Sequence, residues 1–321
     1  MQDANNNSAR ASDIDEMFVR RVQKNIRRLR PWVSSESISC YRIYDRDIPE
    51  CPVTVDWYEG RLHAAFYARG ESDSSRTSVK RWMAVLAAQL KVPRHLVFLK
   101  RRERHPSKQQ YNPVARKKAE FVVSEANLKF KVNLSDYIDT GLFLDHRRTR
   151  GFVRSDAKGK RVLNLFGYTG AFSVYAAAGK ARSSTYVDLS NTYLDWAVAN
   201  MELNQLRKRD YVFVKDDVFS FLKNHRPQHE GYELVVVDPP TISRSKAMSG
   251  KFDIQRDHPF ILKRVLDLCC KGGIIYFSTN FRKFKPRWDE IGCSSTEDIS
   301  ESTLPRDFRD KKIHRCYRMI K

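Results

Sequence analysis

The sequence predicts an α/β fold in which a doubly wound, mostly parallel sheet is preceded by a smaller α+β domain. From about Arg161 onward, short apolar segments alternate with helical segments, as in parallel sheets that helices cover on both faces. Before that point, strands with period-two alternation surround one helix. We therefore divide the 321 residues into a disordered tail (1–13), a basic helix with a small α+β domain (14–140) and the α/β domain (141–321).

The N-terminal elements follow from composition and spacing. Residues 1 to about 12 are rich in Asn, Ser and Ala, which predicts disorder. A helix is predicted over Ile14–Trp32, because apolar residues recur there at helical spacing among arginines, and Pro31 marks its end. A second helix is predicted over Val79–Leu90. The predicted strands are Ile38–Tyr44, Val53–Tyr58, Leu62–Ala68, Leu96–Lys100, Ala119–Glu125 and Leu128–Leu134.

Charge indicates the class of partner. The chain has 59 Lys and Arg against 38 Asp and Glu, a formal net charge of +21. The cations concentrate in the first helix and between Lys91 and Lys118, which favours a nucleic acid partner over a merely solvated face. A membrane surface is disfavoured because no apolar anchoring face adjoins the charges. We predict a mobile basic loop over Arg101–Lys118. RNA contacts are predicted at Lys100, Arg101, Arg102 and Arg104.

Two further classes are disfavoured by sequence. An apolar run of membrane-spanning length and the residue order of a signal peptide are both missing, so we expect a cytoplasmic protein that does not bind membranes. The 6 cysteines show no zinc-type spacing, so we predict no metal site and reduced, buried thiols.

The C-terminal domain is predicted as alternating strands and helices. The predicted strands are Arg161–Phe166, Ser183–Val187, Tyr211–Val214, Glu233–Val237 and Ile274–Ser278. The predicted helices are Ala171–Gly179, Thr192–Asn204, Val218–Asn224 and Asp253–Cys270. In such a fold the ligand lies at the carboxyl ends of the strands.

The residues after these strands indicate the ligand. A glycine turn, Gly167–Gly170, follows the first strand, and its backbone N–H groups are expected to point toward a ligand. Asp188 lies 18 residues beyond Gly170, where an acid can accept both hydroxyls of a ribose. Asp216 and Asp217 follow the third strand, and the alternative is that one of the pair serves only as a helix N-cap. Asp238, followed by two prolines, ends the fourth strand.

Two nucleotide classes compete for this edge. Neither G-x-G-x-x-G nor G-x-x-x-x-G-K-[ST] occurs, and acids at the third and fourth strands would repel a pyrophosphate. S-adenosylmethionine carries a positive sulfur and no phosphate. We therefore expect S-adenosylmethionine as the cofactor.

The motifs also carry a family resemblance. The chain resembles the class I methyltransferases of the RlmK/RlmI group, which modify 23S ribosomal RNA, and most closely the guanine-N7 half of the fused RlmKL enzyme. The resemblance rests on 164–170 (NLFGYTG), 187–190 (VDLS), 238–241 (DPPT), 277–280 (FSTN), 139–147 (DTGLFLDHR), 252–258 (FDIQRDH) and 99–104 (LKRRER). It implies a Rossmann-like class I methyltransferase domain. We expect a free-standing version of that half, whose grip on RNA comes from its own basic N-terminal part or from a partner.

The resemblance assigns roles to individual positions. It implies that Asp188 binds the ribose, that Asp217 binds the adenine amine and that Asp238 and Pro239 line the methyl-transfer mouth. Arg147 is expected to pair with the cofactor carboxylate or with an RNA phosphate, since a guanidinium suits either anion. For His146 two roles stay open: a structural histidine with its hydrogen bonds satisfied, or a residue that contacts the ligand. The resemblance also implies that the turn from Phe166 to Gly170 contacts the methionine part of the cofactor. The predicted cofactor-binding residues of this segment are Asn164, Phe166, Tyr168, Thr169 and Gly170.

The chemistry of methyl transfer narrows the target atom. Pyrimidine C5 requires a cysteine that adds to the ring, and Cys269 and Cys270 fall in a predicted helix away from the cleft. Enzymes for exocyclic amines follow the D-P-P element with an aromatic residue, whereas here Thr241 follows. Guanine N7 has an exposed lone pair and needs only alignment. Asp238 would then stabilise the charge on the methylated ring and Asn280 would read the base edge.

The prediction is therefore N7 methylation of a guanine in 23S ribosomal RNA or a large-subunit assembly intermediate. Alternatives are a cytosine-C5 methyltransferase of the same group and an inactive RNA-binding assembly factor. The target base must be flipped or single-stranded. Tyr168 and Phe143 either stack on adenine or the base, or belong to the core.

Overall fold

The computed structural model describes residues 2–67, 74–102, 119–206, 208–226, 231–244 and 251–321. The chain forms two compact units. The first unit contains Met1–Asn127, Val132–Thr140 and Arg306–Arg309, and the second contains Leu128–Lys131, Gly141–Pro305 and Asp310–Lys321. The predicted mobile loop lies outside the described residues beyond Arg102.

Two short segments belong to a unit that sequence order does not suggest. The segment 128–131 joins the second unit, where the backbone N–H of Lys131 donates to Asn200 Oδ1 at 2.8 Å. The segment 306–309 joins the first unit, where the backbone N–H of Arg42 donates to Asp307 at 2.9 Å. Each segment is therefore held in its unit by a hydrogen bond to a residue far away in sequence.

The first unit packs two helices on a four-stranded sheet. Its strands lie in the order β1-β2-β3-β4, with β3 and β4 parallel and the other pairs antiparallel. The helices are α1 (Gln2–Ser35) and α2 (Ser74–Gln89), and the strands are β1 (Cys40–Asp45), β2 (Val53–Tyr58), β3 (Leu62–Tyr67) and β4 (Val97–Arg102). A separate two-stranded sheet contains β5 (Glu120–Glu125) and β6 (Leu128–Asn133).

Helix α1 is longer than predicted at both ends. It begins at Gln2, where the sequence predicted a disordered tail, and it continues past Pro31. Once Phe18 and Val22 are buried in the core of the unit, each further residue adds one backbone hydrogen bond without a new nucleation step. Pro31 removes a single donor, and the burial of Trp32 in the same core keeps the last turn in place.

The second unit is built on a seven-stranded sheet with the order β14-β15-β13-β10-β7-β8-β9. The strands from β13 to β9 are parallel, and β14 and β15 are antiparallel additions at one edge. The strands are β7 (Arg161–Leu165), β8 (Ser183–Asp188), β9 (Tyr211–Lys215), β10 (Tyr232–Val237), β13 (Cys269–Thr279), β14 (Ser295–Asp298) and β15 (Arg315–Ile320). A small hairpin pairs β11 (Ile242–Arg244) with β12 (Lys251–Asp253). This topology confirms the predicted α/β fold.

Helices cover both faces of this sheet. One core packs alternate strand residues such as Leu163 and Val235 against α6 and α7, and the other packs Val162 and Leu234 against α3 and α4. The helices are α3 (Arg147–Asp156), α4 (Ala171–Ala178), α5 (Asn191–Leu203), α6 (Val218–Asn224), α7 (Ile254–Leu268) and α8 (Ser300–Thr303). None of the helices in the described ranges is long and apolar enough to cross a membrane.

Helix α3 was not predicted because it buries arginine. Arg150 is only 1% exposed, donates to the carbonyl oxygen of Phe143 at 2.8 Å and lies 5.6 Å from the centre of the Tyr175 ring. A sequence rich in Arg reads as a surface segment unless its hydrogen-bond and aromatic partners are known. Strands β14 and β15 were missed as well.

Candidate active site

The structure brings most of the predicted site residues to one edge of the second unit's sheet. The turn after β7 lies between Asp188 at the end of β8 and Asp238 just after β10. Asp217 follows β9, the next strand outward, and Asn280 follows β13 on the other side. The chain reverses its direction of winding between β7 and β10, and this switch point is where doubly wound sheets bind ligands.

The turn after β7 has a strained backbone. Phe166 and Tyr168 have φ angles of 55° and 49°, in the left-handed region that non-glycine residues rarely adopt. Two backbone hydrogen bonds hold it: the N–H of Gly167 donates to the carbonyl oxygen of Val187 in β8 at 3.0 Å, and within the turn the N–H of Gly170 donates to the carbonyl oxygen of Gly167 at 2.9 Å. Strain of this kind persists only where the surroundings impose it, and it clusters at functional sites.

The two glycines of the turn are required by close packing. A Cβ at Gly167 would lie 2.2 Å from the Tyr186 ring, and a Cβ at Gly170 would lie 2.6 Å from the Cβ of Ala197. Their N–H groups are used inside the chain, as is that of Tyr168. The expectation that these amides point toward a ligand is therefore wrong for all three.

The side chains of Asn164 and Thr169 stabilise the turn by buried hydrogen bonds. Asn164 is 1% exposed and its amide donates to Ser173 Oγ at 3.0 Å. Thr169 has no exposed surface, and its hydroxyl donates to the carbonyl oxygen of Gly141 at 2.6 Å. Both side chains are therefore hydrogen-bonded within the fold, where they keep the turn in place, and their contact with the cofactor stays a prediction.

Tyr168 is anchored within the protein. Its hydroxyl accepts a hydrogen bond from the N–H of Gly141 at 3.0 Å. Its ring lies 4.6 Å from Tyr193 and 5.0 Å from Phe143 between ring centroids. Phe166 likewise packs on the ring of Phe252, at 6.3 Å. Both aromatics of the turn are therefore bound into side-chain clusters, and Phe143, at 37% exposure, is the more accessible ring.

Asp188 has the geometry of a hydroxyl acceptor. Its Oδ2 accepts the N–H of Tyr168 at 3.0 Å and its Oδ1 accepts the N–H of Ser190 at 2.9 Å. Burial raises the pKa of Asp188, while these backbone hydrogen bonds oppose that shift. Each oxygen retains a lone pair, so the fixed carboxylate can accept two neighbouring hydroxyls.

Asp217 caps a helix, as the alternative interpretation of this pair predicted. Its Oδ1 accepts the N–H of Phe219 at 3.1 Å at the start of α6. Asp216 in turn accepts the N–H of Asp217 at 2.8 Å. The cap fixes the direction of the Asp217 carboxylate and leaves its role toward adenine as a prediction.

Asp238 lies in a network of polar side chains. Its Oδ1 accepts the Ser278 hydroxyl at 2.6 Å, and its Oδ2 lies 3.7 Å from His146 Nε2. Burial lowers the pKa of His146, while Asp238 and Asp145 oppose that shift, so the buried ring favours its neutral form. Asn280 Oδ1 accepts the hydroxyl of Thr241 at 2.5 Å, which links the D-P-P-T segment to the end of β13.

His146 also belongs to a buried pair of histidines. Its ring stacks on His314 at 4.5 Å with an interplanar angle of 15°, and His314 Nδ1 lies 3.0 Å from Asp145 Oδ2. These three residues lie close enough together to be considered as metal ligands. Stacked, nearly parallel imidazoles aim their in-plane lone pairs side by side and not at one point, so the geometry suits a hydrogen-bonded network better.

The predicted cationic contacts have mixed positions. Arg147 is 4% exposed in the first turn of α3, and Lys100 is buried with its ammonium donating to the carbonyl oxygen of Ser135. Arg102 pairs with Asp139 at 3.2 Å. Arg101 is exposed, and Arg104 lies outside the described residues. The prediction of RNA contact is therefore wrong for Lys100, whose charge is used to hold the fold.

The 252–258 segment is hydrogen-bonded to the loop that follows Asn280. His258 accepts the N–H of Arg287 at Nε2, at 3.0 Å, and Gln255 exchanges two hydrogen bonds of 2.8 Å with the backbone of Lys285. Asp253 caps α7 by accepting the N–H of Gln255 at 2.8 Å. The segment thus fixes the loop that follows Asn280.

Comparison with known proteins agrees with this geometry. A family model described as S-adenosylmethionine-dependent methyltransferase matches residues 43–289. The chain belongs to this family. Its cofactor is accordingly S-adenosylmethionine, as the acidic carboxyl edge predicted.

The relatives include ribosomal RNA methyltransferases. The chain is 45% identical over 306 residues to ribosomal RNA large subunit methyltransferase K of Neisseria meningitidis serogroup B, covering 94% of this chain and 86% of that protein. It is 42% identical to the K/L enzyme of Methylococcus capsulatus, covering 95% of this chain but only 42% of that protein. The chain thus spans less than half the length of the K/L relatives. These relatives confirm the resemblance that the motifs indicated.

A solved structure shares the fold. A candidate SAM-dependent methyltransferase from Streptococcus mutans aligns with a TM-score of 0.74 at 23% identity, covering 96% of this chain and 81% of that chain.

The residues present fit the cofactor of the family. The Asp188 carboxylate is fixed by two N–H donors and keeps a lone pair on each oxygen for ribose hydroxyls. Together with Asp217 and Asp238 it makes the edge acidic, which suits a cationic sulfonium and disfavours a pyrophosphate.

Proposed function

We propose that this chain methylates N7 of a guanine in 23S ribosomal RNA, as free RNA or within a large-subunit assembly intermediate. The observation that carries the proposal is the 45% identity, over nearly the whole chain, to a relative named ribosomal RNA large subunit methyltransferase K. The net charge of +21 supports a polyanionic substrate.

In this proposal the acids at the carboxyl edge of the sheet hold the cofactor. Asp188 would hold the ribose of the cofactor, Asp217 its adenine amine, and Asp238 with Pro239 would border the place of transfer. When bound, S-adenosylmethionine supplies an electrophilic methyl group on a positive sulfur. The guanine N7 lone pair forms the new bond to that carbon while the carbon–sulfur bond breaks, so no proton has to be removed.

The side chains around Asp238 suit a reaction that needs no general base. Transfer to N7 leaves the guanine ring with a positive charge, which the carboxylate of Asp238 stabilises electrostatically. The hydroxyl of Ser278 holds this carboxylate in place at 2.6 Å. Asn280, fixed by Thr241, would present its amide N–H to the acceptor edge of the base.

The state of Cys316 supports N7 over cytosine C5. Cys316 pairs with Ser278 in the neighbouring strand, and, besides burial, the charge of Asp238 helps to raise the pKa of its thiol. It has no exposed surface, and burial raises its pKa far above the range of a reactive thiolate. A thiol in this state does not add to a pyrimidine ring.

Nucleoside mass spectrometry tests the proposal. The purified protein, 23S ribosomal RNA lacking the modification and labelled S-adenosylmethionine should give labelled 7-methylguanosine. Labelled 5-methylcytidine, or a covalent complex with RNA containing 5-fluorocytosine, would establish the cytosine-C5 alternative instead. Lack of cofactor binding by calorimetry would favour the inactive assembly factor.

A further inference from the structure

The amino edge of the second unit's sheet is strongly basic. The loops that enter β7, β8, β9 and β10 contribute a band of cations at the end of the sheet opposite to Asp188 and Asp238. The cations are Lys158, Lys160, Arg161, Lys180, Arg182, Lys208, Arg209 and Arg226. The acids of the same described segments are Asp156, Asp210 and Glu233. The two ends of one sheet therefore have opposite charge.

A groove of about 1310 Å³ opens on this basic edge. The groove is lined by Arg161, Arg182, Arg209 and Arg226 together with apolar residues of β9. Two acids also line it, Asp210 beside these arginines and Asp216 at the far end of β9, so the cations outnumber the acids of the lining. Helix α6 has 7 residues and leaves the outer strand β9 partly uncovered. Val212 of that strand is consequently 50% exposed.

The floor of the groove is rigid and partly aromatic. His225 stacks on Phe221 at 4.3 Å, and its Nε2 lies 3.0 Å from the hydroxyl of Tyr232. Tyr232 in turn donates to Thr185 Oγ1 at 3.1 Å. These contacts join α6 to β8 and β10 and hold the groove open beside Val212.

The arginines of the groove are only partly neutralised. Glu233 accepts a hydrogen bond from Arg182 at 2.9 Å and lies 3.6 Å from Arg161 Nε, so one carboxylate serves two guanidinium groups. Arg209 of the same groove and its chain neighbour Lys208 are exposed. An excess of positive charge is left to face solvent.

We propose that this groove is a second RNA-binding surface, which holds the phosphate backbone of a substrate segment while bases contact the apolar surface around Val212. The proposal rests on RNA being the substrate. Cations beside apolar and aromatic surface in a groove are typical of single-stranded nucleic acid sites. Strand β7 has 5 residues, about 17 Å, so RNA that reaches both edges spans several nucleotides.

A pair of matched variants tests the groove. Lys208→Gln/Arg209→Gln removes two adjacent exposed cations, of which Arg209 lines the groove. Lys263→Gln/Arg264→Gln removes the same two residue types from the exposed side of α7 in the same unit. With a 23S ribosomal RNA fragment, the groove variant should bind about 3–10-fold more weakly, and its salt slope should fall by about 1.5. The α7 variant should match the wild type, and the affinity for S-adenosylmethionine should be equal in all three proteins.

Two outcomes would overturn the inference. One is equal RNA affinity and salt slope for the two variants. The other is ultraviolet crosslinking of 4-thiouridine RNA to the wild-type protein without crosslinked peptides from 208–226. If the wild type makes 7-methylguanosine while the two variants behave alike, only the groove is refuted. If RNA binds through the groove but no methylated guanosine forms, the proposed function is refuted instead.

Discussion

Asp188 is the residue whose geometry bears most directly on cofactor binding. Two backbone N–H groups fix its carboxylate at the end of β8, and burial raises its pKa. A buried carboxylate held this way has already lost its conformational freedom, so hydroxyl ligands meet a preorganised acceptor.

We expect Asp188→Asn to weaken S-adenosylmethionine binding by about 1.5–3 kcal/mol, since the hydrogen bonds then reach a neutral amide instead of a charged carboxylate. Isothermal titration calorimetry measures this loss. Asp195→Asn, on the exposed side of α5, is the matched control and should bind the cofactor like the wild type. An unchanged dissociation constant for Asp188→Asn would remove this residue from the site.

Gly170 and Gly272 illustrate two reasons why a position requires glycine: a left-handed backbone and lack of space for a Cβ atom. Both have φ of +74°, but a Cβ at Gly170 would meet Ala197 at 2.6 Å, whereas a Cβ at Gly272 would meet nothing within 4 Å. Gly272→Ala should lower the free energy of unfolding by about 1–2 kcal/mol through its left-handed backbone. Gly170→Ala should lose a further 1–3 kcal/mol or so through overpacking. Urea unfolding compares the two, and equal losses would contradict the packing argument.

At the scale of elements, α7 is tied to the loop after β13 by His258. The Arg287 N–H donates to Nε2, so the ring can accept this bond only when Nε2 is unprotonated. Burial and the nearby Arg287 charge lower the pKa of His258, although its backbone contacts oppose the shift. The folded state therefore prefers the neutral ring.

This preference predicts a pH dependence of stability. In the unfolded chain a histidine titrates near pH 6.5, so the stabilisation is present above about pH 6.5 and declines as the pH falls below it. The melting temperature should drop between about pH 7.5 and 5.5, and the drop should be smaller in His258→Asn. His95→Asn removes an exposed histidine and should leave the wild-type dependence unchanged. Parallel pH curves for wild type and His258→Asn would refute the assignment.

At the scale of the whole molecule, charge separates the two ligands. The net charge of +21 attracts RNA, while the carboxyl edge of the sheet keeps a local cluster of acids for a cationic cofactor. We expect RNA affinity to fall roughly 100-fold between about 50 and 200 mM salt, as for about four phosphate contacts, with little change for S-adenosylmethionine. Filter binding and calorimetry over that range give both values. Salt dependence of equal size for the two ligands would contradict this separation.

The sequence by itself determined the alternation of strands and helices, the acids at the strand ends and the family. Apolar periodicity depends on near neighbours, and the motifs are contiguous, so both can be read along the chain. The helix cap at Asp217 could also be predicted, because a cap involves residues that are close together in sequence.

Only the tertiary structure decided what each polar side chain does. It showed that Lys100 and Arg150 are buried with hydrogen-bond partners. It showed that the two glycines of the turn after β7 pack closely against Tyr186 and Ala197. It also showed that the hydroxyl of Tyr168 is hydrogen-bonded to Gly141. It also gathered cations from four separate loops at one edge of a sheet. Each of these depends on contacts between residues distant in sequence, and no local pattern encodes such contacts.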